Sequence, residues 1–405
     1  MTFLILDEIS MLSQEYLFKI HDILQKIHSN NLPFGGVNII AFGDFLQLKP
    51  VRATALFDNI VPSETLTRHN IWLNFDEVAI LKKQCRAASD PFFQKLLSEA
   101  RNRLLTDPSI ALLNSRLLEN NPAIDLLSPE WISAPIIVTR NEIADAINAF
   151  KHRTHCNTNS VTEYVISSYD TIGGLPLQED LKKDLLQAET TSDPHGKLRL
   201  NDKIIPRVIH LSKGAKIMLL HNFKLDLNLV NGALGTVYDI IITEDSKAHL
   251  SNSAPNIRFL TKPPIILFKP DNPHPALANY SFQFLKTYPP GLIPILPRQH
   301  TLKYNYGLQT LTIQRFQLDI SLGYAFTDYK VQGKTFSHAI VDLSPPSKGI
   351  IDPHSPYVMI SRLKTSSGLL ILRPFDISVF ETPIEDDLKE EFKRQCTLDI
   401  LSSKP

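Results

Sequence analysis

Cysteine is scarce in this chain: Cys85, Cys156 and Cys396 lie far apart and form no C-x-x-C pair. That argues against a disulfide framework or a cysteine zinc site and suits a reducing compartment. Net charge is missing too. The 42 Lys and Arg residues are offset by 42 Asp and Glu, so no global field advertises a nucleic-acid or membrane partner, and any basic groove must be local. No apolar run approaches the roughly 20 residues that a membrane span requires, and the first residues lack the basic segment of a signal peptide. No membrane partner is expected, and no targeting signal is readable. A further absence bears on chemistry. The phosphate-cradling loop G-x-x-x-x-G-K-[ST] occurs nowhere in the sequence. Gly333-Lys334-Thr335 ends like it, but Asp328 stands at the first glycine position, where a carboxylate would repel phosphate.

What is present begins with Phe3 to Leu6, a short apolar run that ends in Asp7-Glu8. Such a run reads as a strand buried on both faces of a parallel sheet. Ser13 is placed to cap a helix whose Leu17, Ile20, Leu24 and Ile27 share one face. After the break at Asn31 to Gly36, Val37 to Phe42 makes a second strand ending in Gly43-Asp44, and strand, helix, strand implies a parallel crossover. A third strand is expected at Val78 to Leu81, followed by a helix with Phe92, Phe93, Leu96, Leu97 and Ala100 on its apolar face.

Ile136 to Thr139 reads as another strand, and Asn141 can cap the helix carrying Ile143, Ala146, Ile147 and Phe150. Residues 157–205, including Thr190-Thr191-Ser192-Asp193-Pro194-His195-Gly196, are polar and read as surface insertion or loop. From Gly214 to Leu318 short β-rich runs alternate with Pro and Gly, which suggests a small β module inserted in an α/β domain. The α/β pattern resumes at His338 to Leu343 and Gly368 to Leu372, and Glu385 to Cys396 reads as a solvated charged helix. His152, His155 and Cys156 look ligand-like but lack a fourth ligand at useful spacing, so polar loop residues rather than a metal are expected.

Asp7 and Glu8 lie at the carboxyl end of the first strand, where open α/β sheets bind ligands. They fit a Mg²⁺ site with a water-polarising glutamate, and equally a strand end meeting solvent. Gly43 to Pro50 leaves the neighbouring strand at the same edge, so Gln47 can reach a terminal phosphate there. Two polar strand tips converging on one edge favour the nucleotide reading.

At this point the motifs resemble a known family. Leu6-Asp7-Glu8-Ile9-Ser10-Met11 and Gly43-Asp44-Phe45-Leu46-Gln47-Leu48-Lys49-Pro50-Val51 are similar to the second and third motifs of Petite Integration Frequency (PIF-like) DNA helicases, which include Helitron transposon helicases. In the same order, Leu81 to Phe93 resembles the segment with that family's first arginine finger. Val230 to Val237 resembles its Val-Asn-Gly-Thr-x-Gly-x-Val segment, Tyr324 to Thr335 its fifth motif and Tyr357 to Arg362 its sixth.

The resemblance implies two RecA-like α/β domains that bind ATP between them and move five-prime to three-prime on single-stranded DNA. The first domain would be 1–84, cut through at Met1 and so without its phosphate loop. The second would be 85–213 and 319–384, interrupted by the β-barrel-like module 214–318 and followed by a tail, 385–405. It implies ATP and Mg²⁺ as cofactors, with Asp7 on the metal and Glu8 on the attacking water. Arg86 and Arg362 would offset phosphoryl charge, and Gly43, Asp44, Gln47, Gln332 and Gly333 would line the nucleotide site. Thr327, Tyr329 and Lys330 would meet the DNA strand, although Tyr329 and Val331 replace the family's His and Ser, and Ala87 stands where it often has Gln. Single-stranded DNA, duplex junctions, a monomer and a nuclear or mitochondrial address complete what is implied, with repair, recombination and telomere maintenance as the family's settings. Because the loop is lacking, a non-catalytic DNA-binding remnant of a helicase or Helitron transposon stays open beside the motor.

Overall fold

The computed structural model describes residues 3–58, 71–190, 198–199, 205–243, 248–250, 256–278, 287–307, 309–345 and 351–402. The chain forms two compact units, one of Met1–Ala144 with Phe326–Pro405 and the other of Asp145–Ala325. This grouping cuts the chain at other points than the expected boundaries at 84, 213, 318 and 384.

In the first unit β1 (Phe3–Leu6) and β2 (Asn38–Ala41) pair in parallel around the crossover helix α1 (Gln14–His28), as the sequence pattern requires. The Ser13 side chain accepts the Tyr16 N–H at 3.2 Å and caps α1. Leu17 and Leu24 are buried with Phe34, Phe45 and Trp72, whereas Ile27 projects to solvent. Strand β1 departs from expectation. Period-two alternation leaves Phe3 and Ile5 exposed while Leu4 and Leu6 face the core, so the strand is covered on one face only.

Residues 78–81 are no strand. Two of their amides find side chains instead, Val78 N donating to Ser402 Oγ and Ile80 N to Asp399 Oδ1, where a strand would offer carbonyls. Helix α2 (Pro91–Asn102) starts at Asp90, which accepts the Phe93 N–H, and buries Phe93, Leu96, Leu97 and Ala100. Phe92 lies one position off that stripe and is exposed. Helices α3 (Asp107–Ser115) and α4 (Pro129–Ile132) lead to strand β3 (Ile136–Val138).

Helix α5 (Asn141–Asn159) carries the chain into the second unit, where 157–205 is largely structured rather than loop. It holds β4 (Glu163–Ser167), β5 (Tyr169–Ile172), β6 (Leu175–Pro176), α6 (Glu179–Thr190) and β7 (Leu198–Arg199). Residues 191–197 and 200–204 of the polar stretch lie outside the described residues. After β8 (Val208–Leu211) and β9 (Lys216–Leu219) come β10 (Leu234–Ile241), β11 (Ala248–Leu250), β12 (Ile257–Leu260), β13 (Ile265–Pro270) and β14 (Ile293–Ile295). The hairpin β15 (Arg298–Tyr306) and β16 (Gln309–Gln317) and strand β17 (Ile320–Leu322) close the unit.

The orders are β14-β13-β10-β9-β17, β11-β12-β4-β8 and β6-β5-β16-β15-β7. The β-rich body therefore begins before Gly214, because β4 and β5 hydrogen-bond to β12 and β16 from far along the chain. Arg315 is fully buried and doubly bonded to Asp170, at 3.0 and 2.8 Å. His152 and Cys156 sit inside helix α5 and are buried, not in a loop. The His152 Nε2 lies 3.0 Å from Ser212 Oγ, and among the described residues no cluster of three or more His, Cys, Asp or Glu could hold a metal.

The chain returns to the first unit through β18 (Ala325–Thr327), α7 (Asp328–Val331), β19 (Ala339–Val341), α8 (Ser355–Ile360), β20 (Leu369–Ile371) and α9 (Asp386–Ser402). The sheet order is β18-β3-β19-β20, with β3, β19 and β20 parallel. Helix α9 is not merely solvated. Leu388 joins the core of the first unit, Glu391 accepts the Trp72 indole N–H at 3.1 Å, and Arg394 donates to Phe75 O.

Leu388→Ala is expected to cost about 2–5 kcal/mol, read as a lower midpoint for unfolding of the first unit. In the second unit burial pushes the His152 imidazole down to about 4, against the attraction of Glu163. The unfolded chain takes up that proton more readily, so stability should fall as pH drops from 6.5 towards about 4. His152→Gln should flatten that slope in acid-denaturation curves.

Candidate functional site

The site grows from the join between the two parallel strands. Phe42 N donates to Leu6 O at 2.7 Å and Ile9 N to Phe42 O at 3.0 Å, fastening the tip of β1 to the tip of β2. Gly43 is required there by space, since a Cβ would meet the Ile9 backbone nitrogen at 2.9 Å. Between the fastened points the chain must turn sharply, and Glu8 takes φ 52° and ψ 46°. A non-glycine residue in that left-handed region costs about 1–2 kcal/mol. The turn leaves Asp7 exposed, its Oδ1 accepting the Glu8 N–H at 2.9 Å.

Glu8 does not point into open solvent. Its Oε2 accepts from Gln332 Nε2 at 2.7 Å, and Gln332 Nε2 also lies 3.2 Å from Ser10 Oγ. Gly333, at φ 75°, packs so closely that an added Cβ would lie 3.2 Å from Glu8 Oε1. The side-chain oxygen of Gln332, Oε1, is buried without a hydrogen-bond donor among the described residues. Thus residues 324 positions apart in sequence share one small volume.

Gln47 and the two arginines complete it. Arg362 is 2% exposed, and its guanidinium donates to Val358 O at 2.9 Å, Ser361 Oγ at 2.8 Å and Gln47 Oε1 at 3.3 Å. All three acceptors are neutral. Burial, reinforced by repulsion from Arg86, pushes the Arg362 guanidinium down to about 10. Arg86 is exposed, donating to Thr335 Oγ1 at 2.9 Å and Ser361 O at 2.8 Å. Two cations this close, one of them buried among neutral acceptors, favour an anion beside them.

Other expected site residues have duties of their own. Asp44 receives Arg101 through two bonds, at 3.0 and 2.8 Å, and accepts the Leu46 N–H at 3.1 Å. Of the proposed strand contacts, Thr327 is buried, Tyr329 half-buried and Lys330 exposed. Burial pushes the Tyr329 phenol up to about 12, keeping it protonated. The segment Asp328–Val331 is helix α7, so Gly333-Lys334-Thr335 follows a short helix rather than opening one, and cannot act as a phosphate loop.

Sequence reasoning missed Arg101, Ser361 and Thr335 as partners. Nothing local marks their long-range contacts: Arg101 and Thr335 meet residues 57 and 249 positions away, and Ser361 meets Arg86, 275 positions away, through its backbone carbonyl. Arg101→Leu would leave the partly buried Asp44 carboxylate without its partner. The expected cost is about 1–3 kcal/mol, read as a lower thermal midpoint, with Arg101→Lys restoring part of it.

Residues 1–102 match the family model of the PIF1-like helicases. The chain is 27% identical to the ATP-dependent DNA helicase PIF1 of Candida albicans, over 91% of this chain and 43% of that protein. It spans less than half the length of such curated relatives. The crystal structure of Pif1 helicase from Candida albicans superposes with a TM-score of 0.64 at 24% identity, over 97% of this chain and 76% of that one. A Bacteroides Pif1 in complex with ADP-AlF3 and ssDNA gives 0.63 at 21%, over 98% and 76%. The fold is therefore the α/β fold of those Pif1 structures, and residues 1–102 are similar to the PIF1-like helicases.

Proposed function

We propose that the chain is the motor part of an ATP-dependent DNA helicase that moves five-prime to three-prime on single-stranded DNA. The observation that supports this best is the convergence of Glu8, Gln332, Gln47, Arg86 and Arg362 in one compact unit. An anionic phosphate fits the two guanidiniums, because Arg362 is bonded only to neutral acceptors among its contacts above. Mg²⁺ fits Asp7, which keeps an oxygen free of the Glu8 amide. That ion commonly takes one or two carboxylates and completes its shell with phosphates and water.

Bound Mg²⁺ and ATP would supply the transferable phosphoryl group. Glu8 would orient and polarise water, held in place by Gln332 and by its own backbone turn. Gln47, touching Arg362, would sense the terminal phosphate. Arg362 and Arg86 would offset charge that develops on the phosphoryl oxygens, an effect worth about 10³–10⁵ in related reactions. Lys330 would meet DNA phosphate and Tyr329 a base face, with Thr327, mostly buried, supporting them.

A second reading, single-strand binding without catalysis, is favoured by one observation: the motif G-x-x-x-x-G-K-[ST] does not occur in the 405 residues given. ATPase measured with and without oligo(dT) separates the two. The motor reading expects DNA-stimulated hydrolysis that falls at least about 100-fold in Glu8→Gln and Arg362→Ala. Binding that weakens with salt, no hydrolysis, and a salt slope lowered by about 0.7 in Lys330→Ala support the second. A rate that survives Glu8→Gln overturns the role given to Glu8. Unwinding of substrates with a single five-prime or three-prime tail decides the polarity.

A further inference from the structure

Asp328 is a buried carboxylate in the middle of the segment proposed to meet DNA, and it is 2% exposed. An apolar residue would pack there at less cost. Its oxygens are both engaged inward: Oδ1 accepts the Tyr329 N–H at 2.9 Å, and Oδ2 accepts from the Ser355 hydroxyl. Ser355 is the first residue of α8, whose chain is held from below by Asp352 O accepting the Ser355 N–H at 2.9 Å. The far end of α8 runs directly into Ser361 and Arg362, and Arg362 Nε is bonded back to Val358 O within the helix. One side-chain hydrogen bond therefore joins the segment Thr327–Lys330 to the helix that aims Arg362.

Resting on the motor and strand-binding reading above, we propose that Asp328 is a positioning residue: through Ser355 it makes a strut by which strand engagement at Tyr329 and Lys330 sets the position of α8 and Arg362. The charged groups near it include Arg103, whose guanidinium lies 3.3 Å from His354 Nε2 and is attracted by Asp352. Asp352 lies before α8, with its Oδ1 held by the His354 N–H at 2.8 Å and near the His354 Nδ1 at 3.0 Å, and it is attracted by Lys49. The Tyr329 phenol lies within reach of both carboxylates. Burial pushes the Asp328 carboxyl up to about 6, despite the hydrogen bonds from Ser355 and Tyr329 and with the help of Asp352. Loss of the Asp328 charge is thereby moved from the ordinary carboxylate range towards mild acid.

The test uses the full chain, Ser355→Ala, Asp328→Asn and the double variant, compared by amide hydrogen exchange and by binding of a fluorescent oligo(dT). Ser355→Ala should speed exchange in 327–331, and Asp328→Asn in 355–361, each about tenfold. The double variant should be no faster than the faster single one. Wild-type affinity for oligo(dT) should fall from about pH 8 to about pH 5 more steeply than that of Asp328→Asn, which has no charge to lose. Exchange changes confined to the altered segment, additive effects, or equal pH slopes overturn the proposal. If no form binds oligo(dT), the strand-binding reading fails, while the exchange measurements still decide the strut.

Discussion

The two backbone hydrogen bonds that fasten the end of β1 to the end of β2 govern the rest of the site. With Leu6, Phe42 and Ile9 tied, the chain between them has no room for an ordinary turn, and the strain falls on Glu8. That strain aims the Glu8 carboxylate at Gln332, and Gln332 brings in Gly333 and the segment before it. A loop that could relax would let the carboxylate swing. Held from both sides, it keeps one direction, the order that the proposed water-polarising role of Glu8 needs.

Local pattern made some of this legible and left the rest out of reach. The strand β1, its parallel partner, the Ser13 cap and the buried stripe of α2 follow from apolar spacing and capping chemistry that operate within a few residues. The site motifs were readable because each is short and placed at a strand tip or helix end. Their meeting was not readable, since Glu8 and Gln332 or Gln47 and Arg362 are joined only by the finished fold.

Failures of the reading have the same cause. Val78 to Leu81 has strand composition, yet two of its amides are taken by Ser402 and Asp399 from the other end of the chain. Residues 157–205 look too polar for a core, but Leu177 and Leu185 are buried against Leu302, Tyr304 and Ile313. The neutral overall charge hid a local imbalance as well. Arg86 and Arg362 both bond to Ser361, while other charges cancel in pairs such as Asp44 with Arg101 and Asp170 with Arg315.

Helix α9 sets the order in which the protein can be made. Trp72 and Glu391 are 319 residues apart, and Leu388 fills a place in the core built by residues 9–72. A ribosome therefore releases the whole of residues 145–325 before the first unit can be completed. During that interval the early strands wait with part of their core open, and a chaperone that shields apolar surface would meet the nascent chain there.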